Sequence, residues 1–242
     1  MTVVDQPTVV RDALAAMAGR AVAWAMAAGG RTGCLPGVVL ADAGSPCVFL
    51  NAALFDVPPE PAGAAAAAGF FPDGRPLLVV SPGPTADLTP AGLVLMGRPP
   101  FMVRPAGGAA PVPAPPGVTV EEVVDAEVLG EWDRVLAAGY PVPHSPAPAG
   151  LLGGATRFWL ARVEGEPAAV ALSHTGHGLV DVEAVATLPR FRGRGVGSAV
   201  TRAATLADPS SPAVLIASDA GAGVYRRMGY VPVTRWTLWM RP

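Results

Sequence analysis

Between Leu188 and Ser198 the chain reads LPRFRGRGVGS, with glycines at 193, 195 and 197, where a β-like run gives way to a helical pattern. No other stretch restricts the fold as strongly. Glycine adopts positive φ at no steric cost and lets backbone approach a ligand or a neighbouring element closely. A helix that starts at such a loop presents unpaired N–H groups and the positive end of its dipole, which together make an anion site. The loop therefore implies a strand before it, a helix after it and, if it holds a ligand, an anion. A tight turn of small residues is the plainer alternative.

The flanking sequence fills in those elements. RFWLARV, PAAVALS and LVDVEAVATL are three β-like runs joined by EGE and HTGHG, which predicts antiparallel hairpins. After the loop, Val196, Val200 and Ala203 share one side of a helix, AVLIAS is a short buried strand, GVYRRMG a further helix, and YVPVTRWTLWM a strand or hairpin. Ahead of the hairpins, Val124, Val128, Trp132 and Val135 form a helical stripe ending near Gly139, followed by a proline-rich loop from Pro141 to Ala149. The sum is an α+β fold with mixed, mostly antiparallel pairing.

Near the N-terminus, Val10, Leu14, Met17, Ala21, Trp24 and Ala28 mark one face of a long amphipathic helix, and GVVLA, PCVFL and PLLVV are the strands expected after it. The uncharged stretch PAGGAAPVPAPPG, Pro105 to Gly117, predicts a semi-rigid spacer. It divides the chain into a domain over 1–104, a linker over 105–117 and a domain over 118–242. Leu77 to Pro105 also lines up by residue type with Val214 to Pro242: strand, Ser, turn, Met-Gly, strand, Arg-Pro. A duplicated domain whose first copy lacks the glycine loop accounts for this, and so does chance.

Composition excludes several classes. With a net charge of −2 and 15% charged residues the chain lacks the dense basic surface that nucleic-acid binding requires. The apolar runs Ala13 to Ala18 and Ala21 to Ala28 are split by Gly19 and Arg20, so neither approaches the roughly 20 residues of a membrane-spanning helix. Asp5 and Asp12 spoil the basic start of a signal peptide, which leaves a cytoplasmic location and two reduced cysteines, Cys34 and Cys47, as the expectation.

Three phosphate-binding loops compete for the glycine triplet. A Walker loop is excluded because no Gly-Lys-Ser/Thr follows, and a dinucleotide fingerprint because Ser198 stands where G-x-G-x-x-G needs glycine. The run Arg192-Gly193-Arg194-Gly195-Val196-Gly197 resembles the Gln/Arg-x-x-Gly-x-Gly/Ala signature of the GNAT superfamily of acyl-CoA-dependent N-acyltransferases, with Arg192, Gly195 and Gly197 at its three defined positions. VYRRMGYVPV resembles the family's Tyr-x-x-x-Gly-Phe/Tyr segment, and the likeness runs in order from Leu179 to Trp239.

That resemblance implies acetyl-CoA as co-substrate, no metal, and a small-molecule or peptide amine as acceptor. It implies that backbone at Val185, Ala186 and Thr187 pairs with the thioester arm, that Arg192, Gly193, Arg194, Gly195, Val196, Gly197 and Ser198 surround the pyrophosphate, and that Tyr225 is the general acid. Ser218 stands where the family often has Asn, which weakens side-chain help at the pantetheine.

Glu183 is the candidate base, on a face shared with Asp181, Val185 and Thr187, opposite the apolar positions Val180, Val182, Ala184 and Ala186. A solvated strand carboxylate is its plainer reading. His174 and His177 lack a third metal ligand nearby, and His144 lies in the loop expected to cover the acceptor. A CoA-binding scaffold without activity is the alternative function. Oligomeric state is silent in the sequence, and a homodimer stays open.

Overall fold

The stripe through Val10, Leu14, Met17 and Trp24 folds into a helix because its apolar residues recur at steps of three and four and find partners on two sheets. In the computed structural model, which describes residues 6–107, 113–140 and 142–242, this helix is α1 (Gln6–Ala27). It is followed by β1 (Arg31–Leu35), β2 (Val38–Asp42), β3 (Asn51–Phe55), α2 (Pro61–Ala68), β4 (Leu77–Ser81), β5 (Val94–Gly97) and β6 (Pro100–Arg104). The second half comprises β7 (Val118–Val123), α3 (Ala126–Gly139), β8 (Thr156–Val163), β9 (Glu166–Gly176), β10 (Leu179–Thr187) and α4 (Val196–Thr205), then β11 (Ala213–Ile216), α5 (Ala222–Arg227), β12 (Val231–Arg235) and β13 (Thr237–Arg241). The fold is α+β with mostly antiparallel sheets.

Both predicted hairpins form. Their two-residue turns carry positive φ at both central positions, Glu164 and Gly165 in one, His177 and Gly178 in the other, which is the twist that tight antiparallel turns require. PCVFL departs from expectation: Val48–Leu50 is a single 3-10 turn, and the strand is the next five residues, all buried. Asn51 explains the shift, because its buried side-chain amide donates to the carbonyls of Ser45 and Pro76 and fixes the turn ahead of β3.

Pairing yields two sheets, ordered β1-β2-β3-β4-β13-β5 and β12-β6-β11-β10-β9-β8-β7. Each holds one parallel pair, β3 with β4 and β10 with β11. Each also holds a strand from the other half of the chain. β13, the last strand, lies between β4 and β5, while β6 lies between β11 and β12. YVPVTRWTLWM is therefore not a hairpin: Trp236, buried and stacked on Phe101, marks where the chain leaves one sheet for the other. For the same reason the sheets do not divide at the 105–117 stretch, since Pro100–Arg104 pairs entirely within the second sheet.

Three apolar cores follow. One packs α3 and α4 against the second sheet around Trp132 and Phe158. Another joins α1 to Leu54 and Val80 of the first sheet and to Val103 and Val214 of the second. The third lies under α2. Because α1 is wedged between the sheets, its residues face the cleft of the second half.

Candidate active site

β10 and β11 pair only at Val180–Ala213 and Asp181–Val214, and then separate. Just past that point β10 also breaks register with β9, whose pairing jumps from Glu183–Leu172 to Ala186–Val170. Ala184 sits at φ +52° in this bulge. A non-glycine residue there is uncommon and is held only when its surroundings demand it. The bulge ends the strict alternation expected along LVDVEAVATL and turns backbone of Ala184 and Val185 out of the ladder into the gap.

The gap is a cavity of about 250 Å³. Glu183, Ala184 and Val185 of β10 line it, with Leu215 and Ile216 of β11 and, beyond them, Ser218 and Tyr225. Arg20 and Trp24 of α1 and Cys47, Phe49 and Leu50 of the 3-10 segment close the opposite wall. Phe49 meets Tyr140, at the end of α3, with ring centroids 6.0 Å apart. His144 also lines the cavity. Its Nε2 lies 3.2 Å from Asp133 Oδ1, and the same carboxylate accepts from the Ala147 N–H, which folds the loop after α3 over the site. Ser45 and Ser145 hydroxyls, 2.8 Å apart, join that loop to the first half.

Electrostatics in this cavity is dominated by Arg20. Its Nε donates to Asp181 Oδ2 at 2.7 Å, and its second nitrogen lies 3.3 Å from Glu183 Oε1. Asp181 is fully buried, whereas the Glu183 side chain keeps 31% exposure and is reachable from the cavity. Burial pushes the Glu183 carboxyl up to about 7; the Arg20 charge pulls it down and the Asp181 charge pushes it further up. Burial, helped by the negative charge of Glu183, pushes the Tyr225 phenol up to about 12, so it stays protonated at neutral pH. Tyr225 stands edge to face with Tyr230, whose hydroxyl is 2.7 Å from Thr205 Oγ1, and this stack orients it.

The glycine loop lies at the far end of β10, outside the lining of this cavity. Gly193 and Gly195 have φ of +74° and +78°. A Cβ on Gly197 would come within 2.7 Å of Thr187 Oγ1, so glycine is what lets α4 approach β10 there. No side chain caps α4, whose N-cap is Gly195. Arg192 braces the loop: its guanidinium donates to the carbonyls of Thr187 and Gly139 at 3.1 and 3.0 Å. Arg194 lies over the Phe191 ring. Val196 points into the core and Ser198 is half-buried. Pro115, at the end of the proline-rich stretch, leans on the loop, and a Cβ on Gly195 would lie 2.9 Å from its ring.

Of the residues singled out by sequence, His144, Glu183, Val185, Ser218 and Tyr225 thus meet in one cavity. Ala186 is buried, against Gly139. Thr187 gives its carbonyl to Arg192 and its hydroxyl side to Gly197. Ser218 Oγ accepts from the Gly221 N–H and helps start α5. His174 is a buried core residue, 2.8 Å from Thr156 Oγ1, its imidazole pushed down to about 4 first by burial and then by the charge of Arg20. No cluster of three metal-ligating side chains occurs among the described residues, nor a helix there long and apolar enough to cross a membrane. Cys34 and Cys47 are free thiols.

Sequence reasoning missed Arg20, Trp24, Phe49 and Tyr140. Arg20 carries a usable signal: it falls three residues after Met17 and four before Trp24, a charge on the buried face of its helix.

Residues 154–232, which carry the hairpins, the bulge at Ala184, the parting strands and the glycine loop, match the family model described as "Acetyltransferase (GNAT) domain". Among solved structures, the chain is similar to a GCN5-related N-acetyltransferase from Kribbella flavida, at 24% identity and TM-score 0.65 over 88% of this chain and 89% of that one. It is also similar to a functionally unknown conserved protein from Staphylococcus epidermidis (13% identity, TM-score 0.61, 86% and 92% of the two chains). A GCN5-related N-acetyltransferase from Sphaerobacter thermophilus follows, at 17% identity and TM-score 0.53 over 73% and 63%. At these identities the likeness establishes the fold. No curated protein matches the chain.

Proposed function

We propose that the protein is an acetyl-CoA-dependent N-acetyltransferase that acts by direct attack of an amine on the thioester. The observation that carries this is the convergence of Glu183, Tyr225 and the bulged backbone of Ala184 and Val185 on one cavity between parting strands. Backbone N–H groups from Gly193 to Ser198, at the uncapped start of α4, suit the pyrophosphate, because the dipole and the free donors both favour an anion. Freed backbone at the bulge suits the thioester arm and the oxygen that gains charge during attack.

Chemistry follows from the two pKa shifts. A carboxylate near 7 takes a proton from the incoming ammonium, directly or through a water, and leaves a neutral nucleophile. The amine nitrogen attacks the carbonyl carbon, the C–S bond breaks, the Tyr225 hydroxyl gives its proton to the departing sulfur, and the second proton shed by the new amide nitrogen restores the phenol, while Glu183 passes its own proton to solvent. Burial keeps this phenol protonated before the step and makes it a weaker acid than the thiol it protonates, so the transfer is driven by the proton returning from the amide nitrogen.

The first half supports a second role. The reciprocal placement of β6 and β13, each beside an equivalent parallel pair, supports reading it as a degenerate copy of the second half. It has no glycine loop and therefore holds no CoA of its own, and it supplies the wall formed by α1 and the 3-10 turn.

Tyr225→Phe tests the reading. CoA release from acetyl-CoA in the presence of an accepted amine should fall by about 10²- to 10⁴-fold while acetyl-CoA affinity changes little. Unchanged turnover removes Tyr225 from the mechanism, and absence of any acetyl transfer by the parent protein favours a CoA-binding scaffold.

A further inference from the structure

The cavity does not stop at Glu183. A second chamber, of about 400 Å³, shares Arg20, Phe49, Tyr140, Glu183, Ile216 and Ser218 with the first. Tyr225 and the bulge line only the first chamber. The second runs from Glu183 to the inner face of the first sheet, where Leu54 of β3, Leu78 and Val80 of β4 and Leu238 of β13 line it. All four are buried. Its charged groups are few. Arg20 and Glu183 stand at the junction, Arg98 and Asp219 line it elsewhere, and Asp219 is already paired with Arg235 at 2.7 Å.

Resting on the acyl-transfer reading, we propose that this second chamber holds the acceptor, and that the acceptor is a primary amine with a single positive charge and an apolar body. Its nitrogen meets Glu183, and its hydrocarbon lies against Leu54, Leu78 and Leu238. One ammonium is matched by Glu183, which Arg20 approaches only to 3.3 Å, while Asp219, the chamber's other carboxylate, is held by Arg235 at 2.7 Å. A polyamine or an aminoglycoside brings further cations toward Arg20 and Arg98, with no unpaired carboxylate to receive them. A polyhydroxylated body leaves its hydroxyls without partners on an aliphatic wall. An alkyl or aryl body instead removes apolar surface from water on both sides of the contact.

Calorimetric titration of the full chain with 2-phenylethylamine and, separately, with spermidine tests this without depending on turnover. 2-Phenylethylamine should bind more tightly by at least about tenfold. Met96→Trp enlarges a side chain that lines the chamber but is 41% exposed, so the variant should keep the melting temperature of the parent and weaken 2-phenylethylamine. Equal or tighter binding of spermidine, or no effect of Met96→Trp, overturns the proposal. CoA release in the same samples separates the two readings. If neither amine is acetylated but the binding preference holds, acyl transfer is what fails. If spermidine is acetylated in preference, the acceptor class fails and acyl transfer stands.

Discussion

Arg20 interrupts the apolar face of α1, and its guanidinium serves two carboxylates of β10 at once. Removing one partner of a buried pair leaves an uncompensated charge, typically at about 3–5 kcal/mol, so Asp181, fully buried and bonded to Arg20 at 2.7 Å, depends on Arg20 more than the partly exposed Glu183 does. The pH dependence follows from the sign of each effect. Glu183 titrates near 7 in the folded protein against an ordinary 4.5, so the folded state binds this proton more tightly than the unfolded chain does. Its contribution to stability is complete below about 4.5 and is lost as pH rises through about 7. Thermal melts of Glu183→Gln should therefore fall less steeply over that window than those of the parent. In kcat/KM, the acidic limb should rise through about 7. Arg20→Gln should move it to higher pH because the charge that lowers Glu183 is gone, and Arg20→Lys should restore it partly. A limb that stays in place in Arg20→Gln separates Arg20 from the base.

At the level of elements, the glycine loop and α4 make a claim of their own. Gly193 and Gly195 both need positive φ, yet they differ in surroundings: a Cβ at 193 meets nothing within 4 Å, whereas one at 195 meets the Pro115 ring. Gly193→Ala should cost about 1 kcal/mol through backbone strain and leave cofactor binding in place. If acetyl-CoA binds at this loop it should raise the melting temperature of the parent, and Gly195→Glu, which adds bulk and negative charge at the N-cap of α4, should abolish that rise. A rise of parental size in Gly195→Glu makes the loop a turn and nothing more.

This loop, the hairpins at Glu164 and His177 and the helix stripes were legible in the sequence because each is fixed by local chemistry: positive φ, two-residue turns, the helical period. The bulge at Ala184 was not, since Ala-Val-Ala continues a strand pattern and only the loss of pairing with β11 frees it to bend. The turn at Val48–Leu50 was hidden for a similar reason: it is set by Asn51 reaching Ser45 and Pro76, a contact no apolar count records. Glu183 and Tyr225 could be picked out singly, but the wall opposite them comes from residues more than a hundred positions away.

The whole molecule is tied together by two strands. β6 is an inner strand of the second sheet and β13 an inner strand of the first, so neither half has a complete sheet without the other. Such an exchange is invisible to local patterns, although the matching segments Leu77 to Pro105 and Val214 to Pro242 foreshadow it. Its consequence is cooperativity. Calorimetric and van't Hoff enthalpies of unfolding should agree for the whole chain, as in a single two-state unit. A chain ending after Arg235 should lose the first sheet together with the second. Two separate melting transitions in the intact protein would contradict this coupling.

On the acyl-transfer reading the same asymmetry predicts the cofactor count, because only the second half carries a glycine loop at a helix start. Titration of the full chain with acetyl-CoA by calorimetry should give one site per chain, lost in Gly195→Glu and retained in Tyr225→Phe. Two sites per chain, no binding, or binding unchanged by Gly195→Glu would contradict it.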